Sequence, residues 1–107
     1  MAQGKHIEPS GRSAEREAAE QLAVAALGFI AADPELLPRF LAISGIEAKD
    51  VRRAAASPGF LAGVLQFVAA HEPTLLKFSE ASGNEPGSVL RALRALPFGD
   101  DRFDRST

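Results

Sequence analysis

The stretch FIAADPELLPRFLAISG, Phe29 to Gly45, decides the fold, because it returns as FVAAHEPTLLKFSEASG at Phe67 to Gly83. The two copies align without a gap at an offset of 38 positions. Phe29 meets Phe67, Ala31-Ala32 meet Ala69-Ala70, Leu37 meets Leu75, Phe40 meets Phe78, and Ser44-Gly45 meet Ser82-Gly83. The likeness runs on through Glu47 and Glu85, Val51 and Val89, Arg53-Ala54 and Arg91-Ala92, and Phe60 and Phe98. Roughly a dozen identities in about thirty positions far exceed the two or three that chance supplies, so the spacing reads as a duplicated helical unit.

Each copy carries its own punctuation. Asp33-Pro34 closes a first helix and opens a second, with Asp33 as cap and Pro34 at the first helical position, where a missing N–H costs nothing. Gly45 and Gly83 are the expected left-handed residues after the second and fifth helices. Ser57-Pro58, Pro73 and Pro86 open the helices that follow, and Pro97 ends the last.

Working outward, the first helix is predicted from Ser13, as N-cap, to about Ala32. The second runs to Ile43, the third from Ala48 to Ala56 and the fourth from Pro58 to Ala70. The fifth runs from Pro73 to Ser82, and the sixth from Pro86 to Leu96. No stretch alternates in the manner of a strand. The prediction is an all-α, compact six-helix bundle made of two repeated three-helix units, 22–60 and 61–98. Together they form one domain, 13–98, with flexible tails at 1–12 and 99–107.

Helices one and four are apolar on nearly every side over Leu22–Ile30 and Phe60–Val68, which predicts burial all round. Phe29 and Phe67 are therefore expected in the core. Gly28, Ala25, Ala62 and Gly63 are expected to let the two helices approach closely. Ile43, Ala55, Leu76 and Leu90 are assigned to inward faces, and Phe98 is expected to dock as Phe60 does.

Composition narrows the chemistry. The 107 residues are 46% hydrophobic and 24% charged, with a net charge of −2, seven Phe and no Cys. Those proportions fit a globular domain. The absence of Cys removes disulfides and thiolate metal sites. The slight acidity disfavours bulk nucleic-acid binding. The longest apolar run, Leu22 to Ala32, is about half the ~20 residues of a membrane span, and MAQGKHIEPSGR contains no signal-peptide core. A cytoplasmic location without membrane attachment is the expectation.

No phosphate loop, nucleophile elbow or HExxH pattern occurs. His6 and His71 are isolated, and Glu72 beside His71 lacks any nucleophile to serve. No catalytic, cofactor or metal residue is assigned. One basic set does merit weighing. The helix–turn–helix corners at Gly45 and Gly83 would place Lys49, Arg52 and Arg53, or Arg91 and Arg94, on helices able to enter a major groove. However, the position four before the glycine, where such motifs need a small residue, is Leu41 in one copy and Ser79 in the other, and Glu47 and Asp50 put acid where phosphate would lie. An ordinary helical corner is the preferred reading.

With these residues in view, the chain resembles a small family of uncharacterised alpha-proteobacterial proteins, domain of unknown function thirty-five seventy-two. The likeness rests on LGFIAADPELLPRFLAISGI, SPGFLAGVLQFVAAHEPTLLKF and ASGNEPGSV, and spans about Ala18 to Leu96. It implies an all-helical domain of this size and carries no activity. The functional expectation is a non-catalytic protein–protein interaction module, its partner another protein or a second copy of itself. A nucleic-acid binder and a small apolar-ligand binder or enzyme are the alternatives.

Overall fold

The computed structural model describes residues 11–57 and 59–97. Six α-helices occur among them and no strand: α1 (Gly11–Ala32), α2 (Leu36–Ser44), α3 (Val51–Ala54), α4 (Phe60–Ala69), α5 (Glu72–Ser82) and α6 (Pro86–Ala95). A 3₁₀ turn, Ala48–Asp50, leads into α3.

The punctuation forms as the residue types require. Asp33 Oδ1 accepts the N–H groups of Glu35 at 2.8 Å and Leu36 at 3.1 Å, capping the turn that becomes α2. Pro38 consequently falls in the first turn of α2, where it breaks no helical bond. Gly45 and Gly83 adopt φ of 77° and 76°, and their N–H groups donate to the carbonyls of Leu41 and Ser79, both at 2.9 Å. Pro73 and Pro86 stand in the first turns of α5 and α6. Gly11 is already helical, so Ser13 is not the N-cap and the expected tail boundary at residue 12 falls inside α1.

The core gathers Ala19, Ala23, Ala26 and Ile30 of α1, Leu36 and Phe40 of α2, five residues of α4, Phe78 of α5, and Val89, Ala92, Leu93 and Leu96 in and after α6. The α1 residues recur at spacings of four, three and four, a single stripe on one face. That stripe corrects the expectation of burial all round. Val24 is 57% exposed, and Ala25 and Gly28 face solvent. Alanine raises hydropathy without needing cover, so an alanine-rich helix reads as more buried than it is.

The close approach assigned to glycine is also corrected: a Cβ at Gly28 or Gly63 would meet nothing within 4 Å. α1 does pack against α4, and the alanines Ala23, Ala26 and Ala62 on these two helices are nearly or wholly buried.

Helix α4 is the centre. It packs against α1, α2, α5 and α6. Phe60, Ala62, Val64, Leu65 and Val68 are buried on it. Burying five such side chains contributes on the order of 1.5–3 kcal/mol for each large one.

The repeat-equivalent aromatics pair reciprocally. Phe29 of α1 lies 5.4 Å from Phe78 of α5, ring centre to ring centre, and Phe67 of α4 lies 5.4 Å from Phe40 of α2. Phe29 and Phe67 are only half-buried, while Phe40 and Phe78 are the interior members of each pair.

The equivalence stops at the third helices. α6 packs on α1 and α4, whereas α3 is a single turn whose main neighbour is its own 3₁₀ lead-in. The expected third helix over Ala48–Ala56 is therefore mostly not an α-helix. Ala55 is exposed where its counterpart Leu93 is fully buried. Pro58 stands where Leu96 anchors the end of α6, and a proline disfavours helix in the residue before it. A second cause lies in α1. Its turns before Leu22 give α6 a platform, whereas the residues in the same place before α4 are α3 itself.

Candidate functional site

Of the basic candidates, none stands in a phosphate-ready array. Lys49 pairs with Glu47 at 3.7 Å and Arg53 with Asp50 at 3.3 Å. Arg91 donates to Ser88 Oγ at 3.1 Å. Arg52 and Arg94 are exposed. Lys49, Arg52 and Arg53 sit at the 3₁₀ turn and α3, Arg91 and Arg94 on α6, and those helices have their main packing partners elsewhere. Exposed ion pairs of this kind contribute about 0–1 kcal/mol each and place acid beside base.

The structure assembles a different site, which the sequence reading missed. α2 and α4 diverge to leave a groove of about 540 Å³. Its floor is aromatic. Phe40 meets Phe60 at 6.1 Å and Phe67 at 5.4 Å, both edge-to-face. Such geometry sets the positive edge of one ring against the negative face of the next. Gly59 and Gly63 keep the α4 wall low, and Ile46 closes one end. Ile43, expected to point inward, is instead 70% exposed on the α2 edge.

Among the described residues two ionisable side chains line this groove, Arg39 and His71, and no carboxylate does. The Arg39 guanidinium lies 5.8 Å above the Phe67 ring, a cation–π contact that holds it over the aromatic floor. His71 precedes α5, and its Nδ1 is 2.8 Å from Thr74 Oγ1. The buried Thr74 hydroxyl thereby gains a partner, and the ring is tethered at the groove's end.

The repeat-equivalent positions of Arg39 and His71 differ in charge at one place only. Asp33 corresponds to His71 and Lys77 to Arg39. The Asp33 carboxyl is held below its ordinary range, first by the N–H groups of Glu35 and Leu36 and further by the charge of Lys77. Each pair takes one residue from each half: Asp33 with Lys77 joins an acid and a base, whereas Arg39 with His71 contains no acid.

A hint of the site was present in sequence: Ile43 ends an otherwise apolar stripe one turn beyond Arg39. The groove itself depends on which neighbouring helix fails to cover it.

The family model described as Protein of unknown function (DUF3572) matches residues 16–99. The chain belongs to that family. The DUF3572 match begins in the second turn of α1 and extends past the end of α6, so it includes α2, α4 and the groove between them. No curated protein and no solved structure matches the chain. Among the described residues no cluster of three or more His, Asp or Glu could hold a metal ion. No helix among them is long and apolar enough to cross a membrane.

Proposed function

We propose that this DUF3572 protein is a small non-catalytic interaction module that binds a partner protein in the groove between α2 and α4. The observation that carries the reading is the groove's makeup: a floor of three phenylalanine rings in edge-to-face contact, Phe40 and Phe60 buried and Phe67 half-buried, bordered by a mostly exposed isoleucine. Aromatic floors with aliphatic rims are what a helix-in-groove interaction uses, because apolar anchors release water from both surfaces. Catalysis is not part of the proposal: Ser44 and His71 line the groove, but Ser44 Oγ donates to the Leu41 carbonyl and accepts the Ile46 N–H, while His71 Nδ1 is hydrogen-bonded to Thr74 Oγ1.

The test is affinity purification of the full chain from its native cell, with and without nuclease, beside Ile43→Asp. Ile43 is a surface residue, so the variant is expected to melt with wild type. A protein partner that survives nuclease and is lost with Ile43→Asp supports the reading. Partners released by nuclease, with loss on replacing Lys49, Arg52, Arg53, Arg91 and Arg94, would move the function to nucleic-acid binding. A small apolar molecule retained in native mass spectrometry would move it to ligand carriage.

A further inference from the structure

We infer that the groove's occupant is an acidic amphipathic helix of the partner, one that sets an aliphatic side chain against Phe67 and Ile43 and a carboxylate against Arg39. The inference rests on the groove being a protein-binding site and adds the partner's chemistry.

The argument is charge complementarity between repeat-equivalent positions. Around Phe29 and Phe78, Lys77 faces an acid of its own chain, Asp33. Around Phe67 and Phe40, the basic Arg39 has His71 at the acid's place, and among the described residues no carboxylate lines the groove. The acid that Lys77 has in Asp33, and that Arg39 lacks at His71, is the charge a partner would bring. Arg39 is also pre-positioned, because its guanidinium already lies over the Phe67 ring. A planar fork held in place loses less freedom on pairing with a carboxylate.

The length of the site favours a helix. Its α4 wall runs from Gly59 to Ala70, about 17 Å at 1.5 Å per residue, enough for about three turns of a docked helix. Glu35, Glu47 and Glu72 lie next in sequence to the groove's ends or one turn from Arg39, and all three are exposed. They weaken any long-range positive field. The preference for acid therefore comes from direct contact with Arg39 rather than from steering. A second copy of this chain suits the groove less well. The exposed α2 stripe of Glu35, Arg39 and Ile43 would set Arg39 against Arg39 in an antiparallel pair centred on that residue.

The experiment titrates the isotope-labelled full chain with two matched helical peptides of about 18 residues, long enough to span the groove. Both carry one leucine stripe; one has glutamates flanking it, the other lysines. The acidic peptide is expected to shift the amides of residues 39–46 and 59–71 and to bind at least about fivefold more tightly than its lysine twin. Arg39→Ala should reduce that preference to about twofold or less, the scale of an exposed pair. Ile43→Asp should abolish both interactions with the rest of the spectrum unchanged. Equal or tighter binding of the lysine peptide in the groove would overturn the acidic partner and leave the groove reading intact. No groove shift with either peptide would overturn both. The same shifts on concentrating the chain alone would replace the partner helix with a second copy.

Discussion

Residues 29–45 and 67–83 build the same corner twice. Each brings an apolar helix to a left-handed glycine through a second helix, and each lends a phenylalanine to the other's second helix. Beyond the glycines they part. The chain after Gly83 makes a ten-residue helix with Val89, Ala92 and Leu93 buried; the chain after Gly45 makes a 3₁₀ turn and one α turn with no buried residue. The difference teaches that a shared corner does not guarantee a shared third helix. Two leucines and a receiving platform decide that, and where they are missing the neighbouring surface stays open.

The largest test of the comparison is Phe78→Ala. Phe78 is 1% exposed and is the largest fully buried side chain, so its truncation should cost about 3–5 kcal/mol in urea unfolding. Phe67→Ala, at the half-buried outer place of the reciprocal pair, should cost about half as much. Equal losses would mean that the two rings are interior alike.

The next is Leu93→Ala against Ala55→Leu. Removing the α6 anchor should cost about 2–5 kcal/mol. Adding a leucine at the exposed counterpart in the first half should change stability by no more than about 0.5 kcal/mol. A clear gain from Ala55→Leu would show that the third helix of the first half lacks only one side chain, and would erase the distinction drawn above.

Glycines sharpen the comparison within the shared corners. Gly45→Ala and Gly83→Ala should each destabilise by about 1–2 kcal/mol, because both replace a residue at positive φ. Gly28→Ala should do the reverse, stabilising by about 0.5–1 kcal/mol, since its surroundings are open and alanine is the better helix former. Thermal melts read both signs.

The smallest effect is the acid titration of Asp33. Its folded pKa lies below the ordinary 3.8, so the charged cap contributes stability above the unfolded value. That contribution is lost as pH falls through the folded one. Asn caps almost as well without titrating. The gap between wild type and Asp33→Asn should therefore shrink as urea midpoints are followed from pH 5 down to about pH 2. A gap that does not move with pH would mean the carboxylate's charge plays no part.

How much of this could be read in the chain differs by kind of signal. Asp33, Pro73, Pro86, Gly45 and Gly83 act locally, through backbone donors and φ angles, and they placed the helix boundaries well. Gly28 and Val24 misled because their environment is set by helices far away in sequence. Low side-chain volume at Gly28 signalled contact where there is open solvent. The groove was the least legible element. Phe40, Phe60 and Phe67 are all core-like residue types, and nothing in their spacing tells that Phe40 and Phe60 are buried while Phe67 keeps part of its surface exposed.

The pairing of α1 with α6 has a consequence for how the molecule comes into being. The first and last helices described are the ones that pack most extensively on each other. A ribosome releasing this chain from its N-terminus would deliver α1, α2, α4 and α5 while the alanine stripe at Ala19 and Ala23 still waits for its cover. Such long-range closure is slow relative to local helix formation, and exposed apolar stripes on incomplete chains are what chaperones bind. Nascent chains stalled just short of Pro86 should therefore be protease-sensitive, and release past Leu96 should confer protection in a single step.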